Sequence, residues 1–174
     1  MHGYKQHVRP KDHGRISRRP AEQVLAEVIR FALADRSGPL LIAVGGPGGT
    51  GKSTFARRLA QRLADAAVLR LDDYKTARAD PRKAGIFGPH PDANKMALIA
   101  DHLGRLRGGQ PFEQPVYDPA IGDAGSVRTY RPARFNIIDG EVATYREFRD
   151  LVDFAIFIDL DWRTQLATRV GRDL

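Results

Sequence analysis

Leu40-Leu41-Ile42-Ala43-Val44-Gly45-Gly46-Pro47-Gly48-Gly49-Thr50-Gly51-Lys52-Ser53-Thr54 is the stretch that decides how this chain is read. Its first five residues are a continuous apolar run of strand length, the pattern of a strand buried on both faces of a parallel sheet. From Gly46 to Ser53 it fits G-x-x-x-x-G-K-[ST] at every fixed position. Each residue type has a physical reason. Glycines at 46, 48, 49 and 51, with Thr50 between them, let the backbone curl so that successive N–H groups point inward at phosphate oxygens. The helix expected to begin near Gly51 adds the positive end of its dipole. Lys52 is then expected to reach the β- and γ-phosphates of a nucleotide, the Ser53 hydroxyl to ligate Mg²⁺, and Thr54 to help set the start of the helix. The competing reading is an ordinary glycine turn between strand and helix. The complete pattern, with a buried strand before it and a helical pattern after it, weighs against that.

Outward from this loop, strands and helices alternate. Val24, Leu25, Val28 and Ala32 recur at helical spacing from Pro20 to about Asp35. A helical pattern runs from Lys52 to about Ala64, and Val68–Leu71 form a second strand with Asp72 and Asp73 at its carboxyl end. Residues 75–91 read as a polar loop. Asp92 is expected to cap a helix whose apolar stripe is Met96, Ile99, Leu103 and Leu106, stopped by Gly108-Gly109. Residues 110–132 read as an excursion with two short strands, around 116–117 and 127–130. Phe135–Asp139 and Phe154–Ile158 are further core strands, and Trp162 opens a last helix. The alternation predicts an α/β domain in three layers around a doubly wound, mainly parallel sheet, which with the glycine loop is the P-loop NTPase fold.

A Mg²⁺ site needs an acidic partner for Ser53. Asp139 ends an apolar strand and precedes Gly140, the placement of a Walker-B carboxylate that holds the metal directly or through water. A strand-end aspartate capping a turn is the bland alternative.

Composition limits the remaining classes. The 174 residues, 42% hydrophobic and 28% charged, favour one globular domain. No apolar run approaches the ~20 residues of a membrane span, and no signal-peptide pattern follows the basic N-terminus. Cysteine is absent, so disulfides, thiolate metal sites and cysteine nucleophiles are excluded. This fits a cytoplasmic setting. The net charge is +7, but Lys5, Arg9, Lys11, Arg15, Arg18 and Arg19 against Asp12 place +5 of it before residue 20. Residues 1–19 are expected to be a disordered basic tail ahead of one domain spanning 20–174. The tail has no interleaved aromatics and no reader motif, which argues against nucleic acid as a partner.

Several segments in order resemble the uridine kinase–phosphoribulokinase family: Gly46–Ser53, Leu71-Asp72-Asp73-Tyr74, His90-Pro91-Asp92-Ala93, Pro115-Val116-Tyr117-Asp118, Ile138-Asp139-Gly140, Phe157-Ile158-Asp159 and Arg169-Val170-Gly171-Arg172-Asp173. The resemblance implies a small-molecule kinase using ATP and Mg²⁺. It implies that Asp72 takes the proton of the acceptor hydroxyl, and that Arg169 and Arg172, three apart on one helix, neutralise charge near the moving phosphoryl group. Asp73, His90, Tyr117 and Arg128 are the candidate acceptor contacts, with Asp73 alternatively serving the metal. Two departures fall on acceptor recognition: Pro89 stands where uridine-type enzymes carry an aspartate, and Gly122 falls near a histidine position, with Arg128 arriving late after an insertion. The third is the C-terminus. The family continues into a basic lid and a further strand, so a domain ending at Leu174 is expected to lack both and, taken alone, to be a poor kinase.

Two other readings compete with a kinase. A regulatory GTPase needs Asn-Lys-x-Asp after a late strand, and Asn94-Lys95-Met96-Ala97 lacks the aspartate and precedes the Walker-B strand. A nucleotide-binding switch or accessory ATPase with no metabolite acceptor stays open, as do the identity of the acceptor, ATP against GTP, and a homo-oligomeric state.

Overall fold

The computed structural model describes residues 19–80, 85–86 and 88–173, with the side chains of 169–173 outside that description. Its centre is β1 (Leu40–Gly45), every residue of which is buried. A strand with no solvated face must pair on both edges and be covered on both sides. β1 pairs in parallel with β5 (Phe135–Asp139) on one edge and with β6 (Phe154–Phe157) on the other. β2 (Ala66–Arg70) pairs in parallel with β5, giving the order β2-β5-β1-β6. The register sets Val44 beside Asp139 and Asp139 beside Arg70, so the glycine loop, Asp139 and the end of β2 finish at one edge of the sheet.

The period-two alternation of β1 sends its side chains to two separate cores. Leu40, Ile42 and Val44 pack with Ala26, Ile29 and Leu33 of and just after α1 (Ala21–Ala32), and with Ala56, Leu59 and Leu63 of and just after α2 (Lys52–Arg62). Leu41 and Ala43 pack on the other side with Ile99, Leu103 and Leu106 of α3 (Met96–Arg107) and with Phe148. Helices thus cover both faces of an all-parallel sheet, the three-layer α/β arrangement expected. α4 (Trp162–Asp173) follows β6. The excursion is an antiparallel hairpin of β3 (Phe112–Asp118) and β4 (Asp123–Tyr130), with a register shift between Val116 and Tyr117.

Several expectations change. α1 and α2 stop at Ala32 and Arg62, short of Asp35 and Ala64. Asp92 does not cap α3. It sits inside a 3₁₀ turn, Pro91–Ala93, whose cap is the His90 ring accepting from the Asp92 N–H at 3.1 Å, and α3 begins at Met96. Pro91 suits the first position of a helical turn, so the chain spends one short turn there before α3. A 3₁₀ turn over Arg146–Leu151 was not foreseen; it buries Phe148 against the α3 side of the sheet. Phe148→Ala is expected to cost about 3–5 kcal/mol in urea unfolding, as truncation of a fully buried phenylalanine leaves a cavity.

Of the basic stretch 1–19 only Arg19 is described, and its guanidinium pairs with Glu27 of α1. Among the described residues no helix is long and apolar enough to cross a membrane.

Candidate nucleotide site

The loop between β1 and α2 takes a shape that only its glycines allow. Gly46 has φ +138°, and a Cβ there would overlap the Ile158 carbonyl at the end of β6. Gly51 has φ +81° and open space around it, so its demand is conformational alone. The Pro47 carbonyl is the inner anchor of the loop. It accepts from Lys52 Nζ at 2.8 Å and from the Thr50 hydroxyl at 2.9 Å. Lys52 is 9% exposed, so its ammonium is held inside the loop, at the start of α2, where phosphate oxygens would meet it.

The loop opens on a cleft of about 500 Å³. Gly48, Gly49, Gly51, Lys52, Ser53 and Thr54 form one wall. The opposite wall brings in Asp72, Lys75, Tyr117, Glu141 and Thr168. Asp72 and Tyr117 therefore both line the cleft. Asp73 does not line it. It is buried, its Oδ2 accepting from Gln114 Nε2 at 3.1 Å and Arg128 Nη2 at 3.4 Å and its Oδ1 from the Tyr117 N–H at 3.3 Å. Those bonds fasten the β3–β4 hairpin to the 3₁₀ turn Leu71–Tyr74 that carries Asp72. Arg128 is engaged in the same network through Gln114 Oε1 at 3.1 Å. His90 spends its ring on the Asp92 turn and lines no part of the cleft. Arg169 and Arg172 lie on α4, their side chains outside the described residues; Thr168, beside Arg169 on the same helix, does line the cleft.

The turn that presents Asp72 is also held from behind. The Tyr74 hydroxyl bonds His102 Nδ1 of α3 at 2.7 Å, and the His102 ring stacks on Phe112, which stacks on Tyr130. Burial lowers the His102 pKa, so the ring is neutral and serves as a fixed partner.

Asp139 is 5% exposed, and its Oδ1 is buried with no hydrogen-bond partner. Burial pushes its carboxyl above the usual range; the Ser53 hydroxyl pulls it down, Asp72 pushes it up, and Lys52 and Arg70 pull it down. A buried carboxylate oxygen with no partner is costly unless a cation meets it. The donor set on hand, carboxylate and hydroxyl oxygens of Asp139 and Ser53, fits Mg²⁺, which uses few protein ligands and completes its shell with water and phosphate. Among the described residues no cluster of three or more acidic, histidine or cysteine side chains offers a full protein cage.

The raised Asp139 pKa has a defined consequence. The native state holds this proton more tightly than the unfolded chain. The stability it contributes is therefore complete below the ordinary value of 3.8 and is lost as pH rises through the raised native value. Asp139→Asn removes that loss. In metal-free buffer it is expected to be more stable than the parent at pH 7, with the gap closing below about pH 4, while Mg²⁺-dependent nucleotide binding falls. Urea unfolding at a series of pH values checks the first half, and a parallel pH profile for the two proteins would refute it.

Sequence reasoning did not single out Lys75 and Glu141, which sit 3.8 Å apart across the cleft wall. Glu141 lies two residues past a strand end, the side of a parallel sheet where ligands bind, and that position was a usable signal.

The Phosphoribulokinase / Uridine kinase family model matches residues 41–174. Phosphoribulokinase from Synechocystis sp. is 32% identical over 139 residues, covering 78% of this chain and 42% of that protein. Uridine kinase from Latilactobacillus sakei is 30% identical over 148 residues, covering 81% of this chain and 70% of that protein. The chain thus spans less than half the length of the phosphoribulokinase it matches. Among solved structures, one described as a fructose transport system kinase from Silicibacter sp. TM1040 superposes with a TM-score of 0.77 at 23% identity, over 88% of this chain and 81% of that one. Another, described as a uridine kinase from Bacillus stearothermophilus, gives 0.70 at 21% identity, over 87% and 86%. At those identities the likeness speaks to the fold.

Proposed function

The chain belongs to the phosphoribulokinase / uridine kinase family, and from that premise we propose that it transfers the γ-phosphoryl group of ATP to a hydroxyl of a small metabolite, a nucleoside, sugar or sugar phosphate. The single observation that carries the reading is the convergence of the Gly46–Ser53 loop and Asp72 on one cleft, where Ser53 bonds the Asp139 carboxyl, whose Oδ1 has no partner. In the proposed reaction the acceptor oxygen bonds to the γ-phosphorus, the bridging β–γ P–O bond breaks, and ADP leaves with that oxygen. The acceptor proton passes to a carboxylate oxygen of Asp72. Lys52 and the inward N–H groups of the loop oppose the charge that spreads over the phosphate oxygens. Arg169 and Arg172 of α4 are proposed to add to this. Mg²⁺, held by Ser53 and Asp139, would neutralise β- and γ-oxygens when bound.

The acceptor is proposed to lie beyond Tyr117 and Lys75, which line both the phosphate cleft and a smaller cavity of about 200 Å³ with Thr76 and Arg78. The absence of cysteine from the sequence supports a reducing, cytoplasmic setting. ADP release with Mg-ATP, measured against a panel of nucleosides, pentose phosphates and hexoses, tests the proposal. Stimulation by one acceptor, lost in Asp72→Asn, supports it. Tight ATP binding with no acceptor-dependent turnover supports the second reading, a nucleotide-binding accessory ATPase. One observation favours that reading. Gly122, near the position where the resemblance calls for a histidine, has φ +71° and is covered by the Arg78 side chain, so that acceptor contact is replaced.

A further inference from the structure

Ser53, which lines the phosphate cleft, joins Asp139 to floor a second cleft, of about 400 Å³, whose walls are Arg57 of α2, Val68 and Arg70 of β2, and Arg128 of β4. Three guanidinium groups from three elements line one small space beside the metal position. Their charges are unequally committed. Arg128 leans on Asp73 at 3.4 Å and keeps 47% of its side chain exposed. Arg57 spends its hydrogen bonds on its own helix, donating to the Ser53 carbonyl at 3.1 Å and to the Thr54 hydroxyl at 3.4 Å. Among the described residues neither Arg57 nor Arg70 is in an ion pair. The remaining charge in the cleft is Asp139, whose Oδ1 has no partner and is suited to a cation. Once that carboxylate is neutralised, every charged group facing this space is positive.

We infer that this cleft is a second anion site, adjoining the nucleotide loop at Ser53, that takes a phosphate group on Arg57, Arg70 and Arg128. Guanidinium groups suit a phosphate because their planar forks donate paired hydrogen bonds to its oxygens. The phosphate comes either from the acceptor itself, which would make the acceptor a phosphorylated metabolite, or from a separate phosphate-bearing effector. The inference goes beyond the proposed kinase reaction, since the pocket and its charges do not depend on which hydroxyl is phosphorylated.

The test titrates inorganic phosphate by calorimetry into the full chain saturated with Mg-AMPPNP, so that the loop is already filled. One further phosphate is expected to bind per chain. Arg57→Gln and Arg70→Gln, both at exposed positions, are each expected to weaken it about tenfold or more, as loss of a charged hydrogen bond does. Arg58→Gln, on the same helix but turned to Glu22, is expected to leave it unchanged. No phosphate binding in the loaded protein, or binding indifferent to Arg57 and Arg70, overturns the inference. Phosphate that inhibits turnover competitively against the acceptor found in the panel identifies the acceptor as the source, and phosphate that alters turnover without competing identifies an effector; both outcomes keep the site. If Mg-AMPPNP fails to bind, the nucleotide reading falls by itself. The same phosphate titration in Lys52→Ala, whose loop is disabled, then judges the arginine cleft alone.

Discussion

Gly46→Ala is expected to lose at least about 3 kcal/mol of stability in urea unfolding, because a backbone region open only to glycine and a collision with main chain act together. The added methyl would meet the Ile158 carbonyl, which is not a flexible neighbour. The Ile158 N–H donates to the Gly45 carbonyl at 2.9 Å, so β6 and the start of the loop are already tied at that point. Relief requires either moving the end of β6 off β1 or reopening the loop, and the second destroys the phosphate cradle. Mg-nucleotide binding is therefore expected to disappear along with the stability. Gly51→Ala is the internal comparison. It shares the positive φ but meets nothing within contact distance, so it is expected to cost about 1–2 kcal/mol of backbone strain. Two glycines of one motif thus separate close approach from conformational need. Equal losses at both positions would show that φ alone sets the cost and that the contact with Ile158 yields easily.

The loop was legible from sequence because every requirement is local: a strand, a turn of fixed glycines, a lysine and a serine in consecutive order. Asp139 was legible for the same reason, as the last residue of an apolar strand. Asp72 and Asp73 mark the limit. Both follow the same strand, both are acidic, and nothing in their order says which one turns to the cleft. The answer lies 41 to 55 residues away, in Gln114 and Arg128 of a hairpin whose register fixes Asp73 beneath it. Gln114 is fully buried inside a strand, a polar residue whose purpose is invisible without its partner. Arg128 belongs to that structural network as well as to the second cleft, a division of labour that its position along the chain does not reveal. The helix-capping expectation for Asp92 failed on a shorter scale, since proline at 91 suits a 3₁₀ turn as well as it suits a helix start. Lys75 and Glu141 were missed because they come from segments 66 residues apart that meet only when β2 and β5 pair. In each case local chemistry was readable and non-local pairing was not.

Asp72→Asn is expected to lower kcat for acceptor-dependent ADP release by about 10²–10⁴-fold, the range by which a positioned general base accelerates proton removal. Asparagine keeps the shape of the side chain and its place in the cleft wall, but its amide is a far weaker proton acceptor. The affinity for Mg-nucleotide separates this role from a metal-holding one. Asp72 adds negative charge near Asp139 and helps to hold the Asp139 proton on. Its neutralisation is therefore expected to let Asp139 ionise at lower pH, leaving Mg²⁺ affinity at neutral pH within about twofold and improving it in mild acid. A metal ligand behaves in the opposite way, its loss weakening Mg²⁺ at every pH. Asp73→Asn completes the comparison. It removes the anchor for Gln114, Arg128 and the Tyr117 N–H, so its main expected effect is lower stability, with the pH dependence of turnover retained. A kcat for Asp72→Asn within about threefold of the parent would transfer the proton-accepting role away from this carboxylate. Glu141, the other acidic group lining the phosphate cleft, would be the next to test.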